Sequence, residues 1–234
     1  MLRQSTPPSP PRLAIIVPVL NEIDGARALT EHLAIWQQRG AEIIVVDGGS
    51  DDKSDIVIRE RGFHVIRSEQ GRAVQMNTGA RATTSTHLLF LHADTRLPPQ
   101  ADTLVREHLS SSQAAWGRFD VQIEGHSNLL PVVSRLMSLR SRLTGIATGD
   151  QAIFVTRELF EQVGGFPVQP LMEDVEISKR LKLMATPRCL RDKVVTSGRR
   201  WDERGSWQTI LLMWRLRWAY WRGVPAEQLA FRYR

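Results

Sequence analysis

The sequence predicts an α/β protein: a Rossmann-like, mostly parallel sheet flanked by helices, followed by a C-terminal helical segment. Three observations carry this. Short apolar runs alternate with stretches of helical periodicity through the first hundred residues. The runs are continuous rather than alternating, as strands covered on both faces require. Carboxylates and other polar groups stand where those runs stop.

The elements follow in order. Residues 13–19 (LAIIVPV) form the first strand, and residues 24–38 a helix with Ala28, Leu29, Leu33 and Trp36 on one face. Residues 43–46 are the second strand, and 52–61 a helix opened by the polar, acidic stretch at Ser50 and Asp51. A strand at 64–66, a helix at 72–82 and a strand at 88–91 complete a β-α-β-α-β-α-β series, in which each helix is the crossover that parallel strands need. The second half is less regular. It gives a helix at 101–109, an alternating strand at 116–123, a helix at 128–143, a strand at 152–155 and a helix at 173–184.

Residues 206–222 read as one helix with two apolar sides. Trp207, Ile210, Leu211, Trp214, Trp218 and Trp221 fall on one, Leu212, Met213, Leu216 and Tyr220 on the other, and Arg215, Arg217 and Arg222 in the narrow borders. Either this is a wholly covered closing helix, or one side packs on the domain while the other meets a second subunit, a lid or a membrane surface.

At 234 residues the chain suits one large domain and is short for two. A hydrophobic share of 42% with 24% charged residues excludes wholesale disorder. The single cysteine, Cys189, excludes an intrachain disulfide framework and reads as a small core hydrophobe. The opening MLRQSTPPSPPR has no apolar signal region, and no window reaches the ~18 uninterrupted apolar residues of a membrane span. The expectation is a cytoplasmic protein. A net charge of +6 invites a nucleic-acid reading, but the basic residues are scattered, without an RNP-type motif, zinc-finger spacing or a long Lys/Arg run. No nucleic-acid partner is expected; the phosphates of a nucleotide match better.

In open parallel sheets ligands bind beyond the carboxyl ends of the strands, so the strand-end residues matter most. The first strand ends in VPVLNE, bringing Pro18, Asn21 and Glu22; the second in VVDGGSDD, bringing Asp47 ahead of Gly48 and Gly49; the fourth in HADT, bringing His92, Ala93 and Asp94. Asp47 is either a turn former or a carboxylate accepting from a nucleobase or ribose while the two glycines let the ligand approach the backbone. No phosphate-binding GxGxxG or GxxxxGK[ST] loop is present, and a carboxylate beside a phosphate repels it unless a cation intervenes. Asp94 is suited to hold that cation, because Mg²⁺ or Mn²⁺ often takes only one or two carboxylates, with substrate phosphates and waters completing the shell. His92 faces the nucleotide, adds a ligand in a way that favours Mn²⁺, or forms a local hydrogen-bonded pair with Asp94.

The ordered set IIVPVLNE, EIIVVDGGSDD, GRAVQMNTGA, LLFLHADTRLP, GGF and EDVEISKRL resembles the family-2 glycosyltransferases over residues 15–183. The resemblance implies a glycosyltransferase A-type fold, a nucleotide-diphosphate sugar as donor, usually a divalent metal, Mn or Mg, and inversion at the anomeric carbon. It places Pro18, Asn21, Glu22, Asp47, Gly49, Gly71, Arg72, Asn77, His92, Ala93 and Asp94 around the donor. Asp47 then contacts the nucleobase, and Asp94, in the place of the family's Asp-x-Asp motif, ligates the metal. Two departures stand out: Asp47-Gly48-Gly49-Ser50 replaces the usual Asp-Asp-Gly-Ser, and His92 replaces the first Asp of the metal motif. The RRW at 199–201 has little of the longer motif of processive members, so a processive polymerase is not expected. More narrowly, HADT, GDQAIF, LMEDVEIS and RRW…RGVPAEQLA are similar to a compact bacterial subgroup labelled arsenosugar-biosynthesis glycosyltransferases. The organisation implied is a flexible proline-rich segment, 1–11, and one glycosyltransferase domain, 12–234. Within it, 12–100 form the nucleotide-binding half, 101–200 the acceptor-side half and 201–234 the amphipathic C-terminal helices.

Inverting transfer is one in-line displacement, so the attacking hydroxyl needs a base and the leaving diphosphate needs positive charge. The resemblance makes Asp174 the base. Acidic residues in a helix's first turn are also favoured by the dipole alone. Glu173 orients the acceptor or caps that helix. Arg72, at a helix start where backbone N–H groups favour anions, and Arg199 and Arg200 match phosphate geometry. Trp201 stacks on a sugar or fills core, and Gly149, Asp150 and Gln151 line the sugar or acceptor pocket. The reading is therefore an inverting, metal-dependent transferase using a UDP-sugar and a hydroxyl acceptor, cytoplasmic, with peripheral contact to the inner membrane face or a homodimer through the last helix as further options. A nucleotidyltransferase is the enzymatic alternative, although LNEIDGAR lacks the Gly- and Lys/Arg-rich loop it would carry after the first strand. A basic polyanion-binding module is the non-enzymatic one, marked by steep salt dependence.

Overall fold

Seven residues without a charge, Leu13–Val19, form strand β1, buried at every position within an eight-stranded sheet. The computed structural model describes residues 12–110 and 115–233, and the proline-rich segment expected at 1–11 lies outside the described residues. On one side of β1 run β2 (Glu42–Asp47) and then β3 (Val65–Arg67); on the other runs β4 (His87–Phe90). All three pairings are parallel, as the crossover pattern predicts. The connecting helices are α1 (Ile23–Gln38), α2 (Ser54–Glu60) and α3 (Arg72–Arg81).

Beyond β4 the sheet becomes mixed. Strand β5 (Thr95–Arg96), helix α4 (Ala101–Ser110), strand β6 (Trp116–Glu124), helix α5 (Leu130–Thr144), strand β7 (Phe154–Thr156), helices α6 (Arg157–Gln162) and α7 (Glu173–Met184) and strand β8 (Arg188–Ser197) follow in the chain. The order across the sheet is β3-β2-β1-β4-β7-β6-β8-β5. β7 is antiparallel to β4 and to β6, β6 and β8 are parallel, and β5 closes against β8 antiparallel. Helices α8 (Arg199–Arg204), α9 (Ser206–Trp221) and α10 (Ala226–Tyr233) end the described chain. No helix among the described residues is long and apolar enough to cross a membrane.

The period of two along β1 divides the core between the faces of the sheet. Leu13, Ile15, Val17 and Val19 pack with Leu29, Leu33 and Trp36 of α1 and with Val105 of α4. Ala14 and Ile16 point the other way, onto Ala73, Met76 and Ala80 of α3 and Ile177 and Leu181 of α7. Pro18 is tolerated here because the β1–β4 ladder ends at Ile16 with Phe90.

Polar clamps fix the strand ends that matter for ligand binding. The buried Gln75 of α3 donates to the Val19 and Val46 carbonyls, each at 2.8 Å, and so ties the ends of β1 and β2 together. Asp52 accepts from the Ile23 N–H at 2.8 Å and the Ser54 N–H at 2.9 Å, so one carboxylate serves the first residues of both α1 and α2. This is why α2 begins at Ser54 rather than at residue 52: Asp52 stays outside the helix, with Lys53 left-handed at φ 69°.

Several elements depart from the sequence reading, which gave neither β5 nor α6. Strand β8, whose RCLRDKVVTS shows little apolar periodicity, forms because β6 and β5 supply backbone partners on its two edges. Short α8 is largely polar, whereas α10 carries Ala226, Leu229 and Ala230 at helical spacing, within the C-terminal helices expected at 201–234. Cys189, on β8, is half-buried rather than in the core.

Gly79 faces the sheet so closely that a Cβ there would meet Ile16 Cγ2 at 2.4 Å and Val46 Cγ2 at 3.1 Å. Gly79→Ala is expected to destabilise the protein by about 1–3 kcal/mol, overcoming the roughly 1 kcal/mol gained in helix propensity. A urea midpoint equal to or above the parent's would contradict this packing.

Candidate active site

At the carboxyl ends of β1 and β4, a cleft of about 360 Å³ opens between the sheet, α7, the α8 region and α9. Asp94, just past β4, is exposed, and its Oδ1 accepts from Thr95 Oγ1 at 3.3 Å. Glu22, just past β1, lines the same cleft and lies 3.8 Å from Arg199 Nη2. Burial raises the Glu22 carboxyl above its ordinary value; Arg199 pulls it back, and Asp94 adds to the rise. The two strand-end carboxylates therefore feel each other's charge.

The opposite wall is built on one short turn. Residues Gly149–Gln151 form a single 3₁₀ turn, closed by reciprocal capping between Thr148 and Gln151. The Gly149 N–H donates to Asp174 Oδ2 at 2.8 Å, and the Val175 N–H donates to Asp174 Oδ1 at 2.7 Å. Below them, Ser178 Oγ donates to the Asp174 carbonyl at 2.7 Å and accepts the Ala147 N–H at 3.1 Å, locking α7 to the same loop. His92 Nδ1 lies 3.3 Å from Asp150 Oδ1, so the imidazole pairs across the cleft wall with Asp150 and not with Asp94. Its ring packs against Gly149, where a Cβ would come within 2.3 Å of Cε1 and Nε2. Burial would push the Asp150 carboxyl up, but the His92 hydrogen bond and the charges of His92, Arg72 and Arg217 outweigh it and hold it low. Glu173, almost wholly buried, is pushed up by burial and then by the neighbouring Asp174.

Cations converge on these carboxylates. Arg72 enters from the start of α3, Arg199 and Arg200 from α8, and Arg217 from α9. Burial and the charges of Arg72 and Arg204 lower the Arg200 guanidinium from its ordinary value. Arg217 was not singled out for the cleft by the sequence; it stands at a border of α9, and only the packing of that helix turns it inward.

The structure thus gathers Glu22, Arg72, His92, Asp94, Gly149, Asp150, Glu173, Asp174, Arg199, Arg200 and Trp201 into one cleft. Other expected residues build its surroundings. Asp47, 1% exposed, accepts from the Gly49 N–H at 3.0 Å and from Ser50 Oγ at 2.5 Å, which is the turn-forming arrangement. Asn21, left-handed at φ 54°, bridges to that loop by donating its N–H to Ser50 Oγ and accepting from the Asp51 N–H. Gly49 and Gly71 take positive φ, 92° and 139°, that a side chain would strain. Asn77 clamps the Phe166 backbone with two hydrogen bonds, and the buried Gln151 turns its amide to its own cap and to the Phe119 carbonyl. Pro18 is buried in β1, and Ala93 is half-buried between His92 and Asp94.

Among the described residues no three His, Cys, Asp or Glu side chains cluster to hold a metal by themselves. The donors offered are the exposed Asp94 and, beside it, Glu22. Such a set fits a hard divalent cation whose remaining ligands are phosphate oxygens and water.

A β3-β2-β1-β4 parallel sheet extended by β7, β6, β8 and β5, with a carboxylate-lined cleft at its strand ends, is the glycosyltransferase A-type fold. The chain superposes on the mannosyltransferase from Pyrobaculum calidifontis in complex with GDP-Man and Mn²⁺ with a TM-score of 0.64, at 22% identity, over 91% of this chain and 62% of that one. Against glucosyl-3-phosphoglycerate synthase from Mycobacterium tuberculosis in complex with Mg²⁺ and UDP, the TM-score is 0.56 at 18% identity, over 80% and 70%. The sequence profile of glycosyl transferase family 2 matches residues 14–154, and the chain belongs to that family. A curated relative, the PGL/p-HBAD biosynthesis glycosyltransferase of Mycobacterium bovis (strain BCG / Pasteur 1173P2), is 36% identical in an alignment 103 residues long that covers 41% of this chain and 40% of the relative. The corresponding protein of Mycobacterium tuberculosis (strain ATCC 25177 / H37Ra) matches with the same figures, so the aligned stretch spans less than half of these relatives' length.

The raised carboxyl of Glu173 makes a pH prediction. An acid whose folded-state pKa lies above its unfolded value costs no stability where both states are protonated, and costs increasingly as pH rises through the folded value. Glu173→Gln should therefore melt above the parent at pH 8, with the advantage fading below about pH 4. A variant less stable than the parent at pH 8 would show that the ionised carboxylate is held favourably.

Proposed function

We propose that the protein is an inverting, metal-dependent glycosyltransferase that moves a sugar from a nucleotide-diphosphate sugar, a UDP-sugar, to an acceptor hydroxyl. The observation that carries this is the convergence of Asp94 and Asp174, from β4 and α7, on one cleft that also receives Arg72, Arg199, Arg200 and Arg217. The family assignment and the ligands of the structural neighbours, GDP-Man with Mn²⁺ and UDP with Mg²⁺, support the donor class and the cation.

Asp174 is the base. Two backbone N–H groups fix its carboxylate in place, one on each oxygen, and each oxygen keeps lone-pair capacity for the acceptor hydroxyl. Its contribution is positional: the carboxylate is held where the acceptor hydroxyl must come. As the acceptor oxygen forms its bond to the anomeric carbon, the bond from that carbon to the diphosphate breaks and the hydroxyl proton passes to Asp174. Glu173 and Asp150 bound the acceptor side. A divalent cation held at Asp94, Mn²⁺ or Mg²⁺, would neutralise charge on the diphosphate oxygens. The arginines supply guanidinium donors matched to phosphate. The nucleoside falls to the loop after β2, whose shape Asp47 sets through Gly49 and Ser50. Six carboxylates in the cleft, Glu22, Asp94, Asp150, Glu173, Asp174 and Glu203, disfavour a site for bare polyanions.

Thermal-shift screening of nucleoside diphosphates and nucleotide sugars with Mn²⁺ should single out a uridine ligand, because a selective ligand raises the midpoint by mass action; no response to any of them would contradict donor binding. Asp174→Asn should keep nucleotide affinity while lowering turnover at least ~100-fold, and unchanged turnover would remove Asp174 as base. Asp94→Ala should abolish the difference in UDP affinity with and without Mn²⁺ measured by calorimetry. Equal affinity in both conditions for the parent would defeat the metal assignment.

A further inference from the structure

Helix α9 has three faces. Thr209, Met213 and Arg217 line the cleft, and Leu212 and Leu216 pack with Met172 and Leu229 in a small separate core. Trp207, Leu211, Trp214, Trp218 and Trp221 form the third, spaced 4, 3, 4 and 3 residues apart, and every one is more than half exposed. At 3.6 residues per turn these five side chains lie within an arc of about 80°. Tryptophan is normally among the more buried residues, so four on one exposed stripe ask for a partner. Helix α5 repeats the pattern with Val132, Leu136, Leu139 and Leu143, again more than half exposed.

We propose that the α9 stripe docks on an anionic lipid surface. The charge pattern selects this occupant. From residue 204 to 226 there are four arginines and no Asp or Glu. Arg215 and Arg222 border the stripe, and the Arg222 guanidinium sits 5.2 Å from the Trp218 ring centre. A second copy laid stripe to stripe would set these arginines against their own counterparts without a carboxylate to offset them. Phospholipid headgroups meet the same arginines with opposite charge, and indole rings settle at the boundary between headgroup and acyl chain. Docking through α9 leaves the cleft one helix diameter, about 10 Å, from the lipid.

Co-sedimentation of the full chain with vesicles of phosphatidylcholine doped with phosphatidylglycerol tests this. The expected result is association that exceeds that with phosphatidylcholine alone, falls with added salt and shifts tryptophan emission to the blue. The double variant Trp214→Ser/Trp218→Ser should lose at least about tenfold in partitioning with an unchanged melting temperature. Arg215→Gln/Arg222→Gln, which keeps the stripe, should lose the preference for phosphatidylglycerol. Absence of vesicle association, equal association by the tryptophan variant, or a dimer that the same tryptophan variant converts to monomer would each overturn the proposal.

Discussion

One backbone N–H, that of Gly149, ties the cleft together. It donates to Asp174 across 25 residues of chain, while the bare Cα beside it makes room for the His92 ring. The next residue, Asp150, then meets His92. β4, the 3₁₀ turn and α7 are thereby held in one register, and the distance between the Asp94 and Asp174 walls is fixed without either carboxylate touching the other. Any side chain at position 149 would push the imidazole out and loosen the hydrogen bond to Asp174. In this light His92 is a structural strut, and Asp94 two residues on stays exposed.

The same cleft concentrates charge that the fold alone would not choose. Glu22 and Glu173 are raised from their ordinary values, chiefly by burial, and Arg200 is lowered for the same reason. Groups shifted this way are costly in the free protein and favourable once a ligand of complementary charge arrives, which is the usual condition of a working site. The mixture of both signs suits the proposed ligand, a diphosphate with its cation: the arginines would meet phosphate oxygens and the carboxylates the metal and the hydroxyl.

Much of the fold was legible because strands covered on both faces write themselves as unbroken apolar runs, as in β1, β2 and β4. The strand β8 was not, since its charged residues alternate irregularly and its stability comes from β6 and β5, which local sequence does not reveal. The strand-end rule found Glu22, His92 and Asp94. It also nominated Asp47 and Asn21, whose side chains turn out to hold the loops in shape. Their chemistry is the same in either role, and only the hydrogen-bond partners decide. The separate faces of α9 were readable from its 3.6-residue period, but which face meets the cleft was not, because that depends on the small core around Met172 and Leu229.

Crystals grown with UDP and Mn²⁺ would show whether Asp94 holds a cation against a diphosphate while Asp174 stands on the acceptor side. The expected result is an anomalous manganese peak within coordination distance of an Asp94 carboxylate oxygen and beside the diphosphate, with Asp174 facing the vacant sugar position. A manganese site away from Asp94, or a diphosphate bound outside the cleft, would contradict it.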